Sequence, residues 1–144
     1  MYGAEFDLEE RLLDYAAAII RLVEQLPRTR AGRHVSRQLL RSGTSPLPNH
    51  GEAQAAESRD DFIHKFGICL KEFRESHRWL RLIKRVPLIK PITSVDPMIV
   101  ETCELIKIFF VSIRTARQNR NWKPQRGRRR SSSTDGDRNS KVER

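Results

Sequence analysis

Residues 62–83 read FIHKFGICLKEFRESHRWLRLI, and this stretch decides the fold. Its apolar and small side chains recur in steps of four and three residues: Phe62, Phe66, Cys69, Phe73, Ser76, Leu80 and Ile83. Basic side chains recur in steps of three and four on another side: Lys71, Arg74, Arg78, Arg81 and Arg85. Both repeats match the 3.6-residue period of an α-helix. The stretch therefore predicts a long helix with one buried side and one basic side.

The neighbouring residues supply a start and a stop for this helix. Ser58 can cap its first turn, which carries Asp60 and Asp61, and Pro87 and Pro91 follow its last turn. A side-chain oxygen before the first turn and prolines after the last are typical helix boundaries.

Two more helices are predicted at the ends of the folded region. The first covers residues 8–26, with Asp7 as its cap and Pro27 after it. It has two adjacent apolar lines: Leu8, Leu12, Tyr15, Ile19, Leu22 and Leu26, then Leu13, Ala16, Ile20 and Val23. The last begins after Asp96, with Pro97 in its first turn. Its predicted buried seam is Ile99, Cys103, Ile106, Phe110 and Ile113, although its middle is apolar on nearly all sides.

The second helix is interrupted by prolines. Thr29 can cap a helix that starts near Arg30, but Pro46 and Pro48 disturb it before residues 52–57 become helical again. The sequence predicts either one kinked helix or two short ones. Together the segments predict an all-α, up-down four-helix bundle over residues 1–120. An arginine-rich tail, predicted to be disordered, follows over residues 121–144.

The charge favours a negatively charged partner. The chain has 28 Lys and Arg against 18 Asp and Glu, a formal net charge of +10. Such a balance suits nucleic acid or other anionic surfaces without choosing between them. No run of 18 apolar residues occurs, so we expect no membrane span. The acidic start of the chain is unlike a secretion signal, so we expect a cytoplasmic protein whose two cysteines, Cys69 and Cys103, are buried and reduced.

Catalysis and metal binding find little support in the residue pattern. A carboxylate-bundle metal site needs two Glu-x-x-His pairs, and only Asp61 and His64 come near that spacing. His77 is expected in the core, and His34 and His50 on the surface or in a linker. Neither His64 nor His77 has the helical offset that would place it on the Cys69 thiol. We therefore predict no enzyme activity, no metal and no cofactor.

Arginine stripes are the candidate binding residues. The predicted nucleic-acid-binding residues are Arg30, Arg33, Arg37, Arg41, Lys71, Arg74, Arg78, Arg81, Arg85, Arg126, Arg128, Arg129 and Arg130. The alternative is that these stripes are only solvated helix faces. Glu72 and Glu75 are expected to form structural ion pairs, Glu72 with Arg41 and Glu75 with Arg78. The alternative is that they orient neighbouring arginines for a ligand.

Several short segments resemble a known family. They are RSGTS at 41–45, Asn49, EAQAAES at 52–58, DFIHK at 61–65, GICLKE at 67–72, Glu75 and Trp79-Leu80. They are similar to the bacterial four helix bundle proteins, also called 23S rRNA intervening-sequence proteins, and the likeness extends over roughly residues 6–118. The resemblance implies a four-helix bundle, a closed homopentamer and no catalytic residues. A related group serves the reverse transcriptase of diversity-generating retroelements as accessory protein. The pair Pro46 and Pro48 departs from the family pattern, which implies a sharper kink.

We therefore expect a homo-oligomer, specifically a pentamer. We expect it to bind RNA or DNA without sequence preference, or to act as an adaptor. Two alternatives remain. One is a protein-interaction module, for example a partner of a reverse transcriptase. The other is a structural ring with no nucleic-acid role.

Overall fold

The computed structural model describes residues 7–124, and the regular structure of this part of the chain is entirely helical. Its helices are α1 (Leu8–Val23), α2 (Arg30–Thr44), α3 (Pro46–Gln54), α4 (Arg59–Arg85), a short 3-10 helix (Ile92–Val95) and α5 (Asp96–Gln118). Only Ser45, whose backbone is also helical, separates α2 from α3. With that pair counted as one kinked helix, the four-helix bundle predicted from the sequence is confirmed.

Contacts at both ends show that α4 and α5 run in opposite directions. Lys84, near the end of α4, binds the carboxylate of Asp96 at the start of α5 at 2.6 Å. Arg59, at the start of α4, donates to the carbonyl oxygen of Asn119, just beyond the end of α5, at 3.3 Å. Around the bundle, α1 contacts α2 and α5, and α4 contacts the same two helices. The α1–α2 side therefore lies opposite the α4–α5 side.

The kink at Ser45 follows from the two prolines. Pro46 and Pro48 have no N–H group, so neither can donate to the carbonyl four residues earlier. The neighbouring bonds persist: the N–H of Ser45 reaches the carbonyl of Arg41 at 3.1 Å, and that of Asn49 reaches Ser45 at 3.3 Å. The backbone therefore stays helical through Ser45 although its hydrogen bonding is interrupted there, which corresponds to the kinked-helix alternative and not to two separate helices.

The predicted helix starts are confirmed by their caps. Side chains of Asp7, Thr29 and Ser58 accept hydrogen bonds from backbone N–H groups three residues later, at 3.0–3.1 Å. The end of α1 differs slightly from the prediction. It lies at Val23, and Leu26 is buried in the turn that follows.

Apolar side chains from all four helices form one core. The predicted seam of α4 is confirmed, and Phe73 at its centre is fully buried. The Phe73 ring lies 5.3 Å from that of Tyr15 and 5.2 Å from that of Phe109. Two hydroxyl pairs cross between helices inside this core, Tyr15 with Thr102 and Ser42 with Ser76, each at 2.8 Å.

The predicted seam of α5 is confirmed at Ile113 and wrong by one residue at its other four positions. The buried side chains are Met98, Thr102, Leu105, Phe109, Ile113 and Ala116. Phe110 is instead 49% exposed, and Ile99, Cys103 and Ile106 are half-buried. Because the middle of α5 is apolar on nearly all sides, periodicity could not choose its register. Thr102 decides it by donating to the carbonyl of Met98 at 2.6 Å and accepting from Tyr15.

Candidate functional site

The arginines of α4 lie on the side of that helix that adjoins α5. Arg74 lines a groove between the two helices, together with Arg114 and Arg117 of α5. Arg78, Arg81 and Arg85 follow Arg74 at helical spacing and continue the same exposed side. We define the basic face as the exposed residues Lys71, Arg74, Arg78, Arg81, Arg85, Arg114 and Arg117.

The positive charge of the basic face is not compensated by carboxylates in residues 7–124. The ion pairs in this part of the chain involve other cations: Arg11, Arg41, Lys65, Lys84 and Lys107. Within the basic face, Arg78 donates to the backbone carbonyl of Arg74 at 3.3 Å, which leaves its charge uncompensated. Seven cations therefore share one surface with no paired acid among the described residues.

The predicted arginines of α2 do not join this face. Arg33 and Arg37 lie beside the turn between α1 and α2, near Glu24 and Arg28. Arg30 is exposed in the first turn of α2. The two predicted stripes therefore occupy different sides of the bundle and do not form one surface.

Arg41, the last arginine of the α2 stripe, serves the packing of α2 against α4. Its guanidinium binds Glu72 at 3.0 Å and also binds Glu75. The predicted pair of Arg41 with Glu72 is thus confirmed, whereas the pair of Glu75 with Arg78 is wrong. Glu75 is turned toward α2 and accepts a second hydrogen bond from the indole of Trp79 at 3.3 Å. As a result, α4 presents these acids to α2, whereas its Arg74 lines the groove with α5.

The opposite side of the bundle carries exposed apolar residues. Leu13 and Ile20 of α1 are 43% and 46% exposed, and Leu40 of α2 is 39% exposed. In α1 they point away from Arg11, which binds Glu101 of α5. We call Leu13, Ile20 and Leu40 the apolar patch. Of the second apolar line predicted for α1, Ala16 and Val23 are buried in the bundle.

His50 is buried, which corrects its prediction as a surface or linker residue. It is 4% exposed, and its ring lies 5.9 Å from the Phe66 ring. Its Nε2 atom is 3.0 Å from the side-chain nitrogen of Gln54, while Nδ1 has no hydrogen-bond partner. Burial lowers the pKa of His50. The 4-3 spacing of Pro46, His50 and Ala53, all buried in α3, was the signal that could have revealed this.

The two cysteines and His77 are also in surroundings that do not favour nucleophilic or acid–base catalysis. Burial raises the pKa of the Cys69 thiol to about 12, so it stays protonated at neutral pH. Cys103 is only half-buried, in contrast to its prediction. His77 is also half-buried, and its pKa is lowered by burial and by the charges of Arg81 and Arg78.

No group of three or more His, Cys, Asp or Glu within residues 7–124 is arranged to hold a metal ion. Nor does this part of the chain contain a helix with the length and apolarity needed to cross a bilayer.

The start of the predicted tail is attached to the bundle. Trp122 is half-buried, and its ring lies 5.8 Å from that of Phe62. The tail candidates Arg126, Arg128, Arg129 and Arg130 lie outside the described residues.

Sequence reasoning missed Arg114 and Arg117. Both follow Phe110 at helical spacing, and the guanidinium carbon of Arg114 lies 6.0 Å from the centre of the Phe110 ring. With Phe110 assigned to the buried seam, its arginine neighbours could not be recognised as part of an exposed groove. The correct register of α5 would have placed all three residues beside α4.

Comparisons with known proteins agree with the resemblance seen in the sequence. The family model of the 23S rRNA-intervening sequence proteins matches residues 5–109, which is more than half of the chain. Among solved structures, the chain is similar to a protein of unknown function from the S23 ribosomal protein family of Bacteroides thetaiotaomicron. The two are 34% identical with a TM-score of 0.68, over 74% of this chain and 97% of that one. No curated protein matches the chain.

Proposed function

The chain belongs to the 23S rRNA-intervening sequence protein family, and we propose that it is a non-enzymatic, cytoplasmic protein that binds RNA or DNA through its basic face. The observation that carries this proposal is the set of seven cations on the α4–α5 side, none of them in an ion pair among residues 7–124. An exposed cation that already has a carboxylate partner offers a phosphate little, whereas an unpaired one can replace the counterions of the nucleic acid.

The length of the basic face suits a phosphate backbone. From Lys71 to Arg85, α4 rises about 21 Å at 1.5 Å per residue. A duplex carries one negative charge per about 1.7 Å of its axis, so a stripe of this length can face several phosphates where the strands cross it. Arginine binds phosphate with two parallel hydrogen bonds, and each contact releases counterions. Because phosphate contacts carry no sequence information, this binding should be independent of base sequence.

The chain offers a matched pair of variants to test the proposal. Replacing Arg74, Arg78 and Arg81 with Gln removes three charges from the basic face. Replacing Arg30, Arg33 and Arg37 with Gln removes the same charge from α2, where the residues are equally exposed. With full-length protein and fluorescently labelled duplexes of unrelated sequence, the α4 variant should lose at least tenfold in affinity for every duplex. The α2 variant should lose much less.

The outcomes separate the alternatives. Equal losses in both variants would mean that only net charge matters, and that no particular face binds. Absence of binding by the unmodified protein at low salt would overturn the proposal. A protein-interaction module, such as an accessory partner of a reverse transcriptase, or a structural ring would then be the better account. Circular dichroism spectra of both variants serve as the check that each retains its helices.

We further propose that the protein self-associates through the apolar patch. Its three large aliphatic side chains belong to α1 and α2, and each is about two-fifths exposed. The depression near it is lined by one acid, Glu24, and by three arginines, Arg28, Arg33 and Arg37. The patch itself is uncharged, so its contact with a second copy would remove apolar surface from water, which contact through the basic face would not do. The resemblance to closed homopentamers points the same way, and association on this side leaves the basic face free.

A further inference from the structure

The groove between α4 and α5 combines charged walls with an apolar floor. Its walls carry Arg74, Arg114 and Arg117, and its floor contains Leu70, Phe110 and Ile113. We propose that this groove binds an unpaired segment of nucleic acid, with one base against Phe110 and the adjoining phosphates on the three arginines. This inference rests on the proposed function and narrows its ligand from nucleic acid in general to a single strand.

The walls select an anionic occupant. Among residues 7–124, none of the three arginines forms an ion pair, so the groove concentrates three positive charges around a partly water-excluded floor. A second copy of this chain, with a formal net charge of +10, is disfavoured there by repulsion. A negatively charged ligand gains from all three guanidinium groups together.

The apolar floor favours a ligand that has a flat apolar group as well as a negative charge. The Phe110 side chain is 49% exposed although it lies between two helices, and Leu70 and Ile113 beside it are buried. The Arg114 guanidinium carbon lies over the Phe110 ring, 6.0 Å from its centre, so a base would stack on the other face of the ring or take the place of Arg114 on this face. Inorganic phosphate would leave this floor uncovered. Bases stack on aromatic side chains and on arginine in proteins that bind single strands.

A duplex does not fit the groove in the same way. Its bases are paired and stacked inside, so only phosphates and groove edges are presented to a protein surface. An unpaired base can turn out from its strand and reach Phe110 while the strand's phosphates remain at the arginines. We therefore expect duplexes to contact the arginines of the basic face through phosphates alone, and single strands to place a base on the groove floor as well.

Gly67 keeps the groove open, and this supplies a charge-neutral test. Gly67 lines the groove, and a Cβ atom added to it would meet nothing within 4 Å. Gly51 of α3 has the same freedom but is not part of the groove. A Leu at position 67 would therefore fill the groove, whereas a Leu at position 51 controls for the substitution itself. Phe110→Ala has its own control in Val111→Ala, since Val111 is 45% exposed outside the groove.

Family membership does not by itself imply this groove. The family match ends at residue 109, while Phe110, Arg114 and Arg117 lie beyond it.

The experiment measures binding of full-length protein to three probes of equal length: oligo-dT, an abasic single strand and a DNA duplex. The unmodified protein should bind oligo-dT about tenfold more tightly than the abasic strand, because base stacking adds to the phosphate contacts. Phe110→Ala and Gly67→Leu should remove this difference without changing duplex affinity. Val111→Ala and Gly51→Leu should retain it.

Equal affinity for oligo-dT and the abasic strand would overturn the inference, as would a preference that persists in both Phe110→Ala and Gly67→Leu. Either result leaves the proposed function intact if all three probes still bind. Failure of every probe to bind the unmodified protein would instead overturn the proposed function itself.

Discussion

Gly43 allows α1 and α2 to pack closely, and adding one methyl group there has a calculable cost. A Cβ atom at Gly43 would lie 2.8 Å from both Cγ atoms of Ile19. Ile19 is fully buried, so it has little room to move, and rotating its side chain cannot withdraw both branches at once. Overpacking of this kind costs about 1–3 kcal/mol. Replacing Gly by Ala inside a helix stabilises it by about 1 kcal/mol, so Gly43→Ala should lower the free energy of unfolding by up to about 2 kcal/mol.

Gly51→Ala and Gly67→Ala are the matched controls for this substitution. A Cβ atom at either position meets nothing within 4 Å, so only the helix-propensity gain applies. Both variants should be up to about 1 kcal/mol more stable than the unmodified protein. Urea denaturation followed by far-UV circular dichroism measures all three. If Gly43→Ala were as stable as the two controls, the close approach of α1 and α2 at Ile19 would be wrong.

Three further predictions concern pH, the chain end and assembly. Because the pKa of buried His50 is lowered, the unfolded chain takes up a proton first, and stability should fall as the pH drops below 6.5. Urea titrations of the unmodified protein and of His50→Leu should show a smaller loss in the variant. Deleting residues 125–144 should leave the melting temperature unchanged, whereas deletion from residue 121 should lower it, because Trp122 packs on Phe62. Light scattering should give a mass near five protomers, and Ile20→Asp should shift it toward 16.8 kDa; an unmodified protein already at that mass contradicts the self-association proposal.

The sequence predicted the buried residues most accurately in α4, where the apolar and the basic side chains lie on separate faces of the helix. In α4 the apolar seam and the arginine stripe occupy separate sides, so the period alone located the buried residues from Phe62 to Ile83. In α5 the apolar residues surround the middle of the helix. A hydrogen bond between distant residues, Tyr15 and Thr102, fixes its register there, and no local pattern records such a contact.

The α4 part of the candidate site could be predicted from the sequence, but its neighbours on α5 could not, for a related reason. The arginines of α4 are periodic, but whether they meet those of α2 or those of α5 depends on how the helices surround the core. Glu75 illustrates the difficulty. Its helical spacing suits Arg78, yet Arg41 of α2 binds it across the interface. Similarly, the prolines before His50 suggested a linker, whereas the kinked helix continues and turns that ring into the core.

The basic face is tested most directly by the salt dependence of DNA binding. Affinities of full-length protein for one duplex, measured over a range of salt concentrations, give a log–log slope that changes by about 0.9 for each phosphate contact. Replacing Arg74, Arg78 and Arg81 with Gln should flatten this slope by up to about 2.7, the loss of three contacts. The matched replacement of Arg30, Arg33 and Arg37 should leave it nearly unchanged. Identical slopes for the α4 variant and the unmodified protein would contradict the account, because the unpaired arginines beside α5 would then make no contact with phosphate.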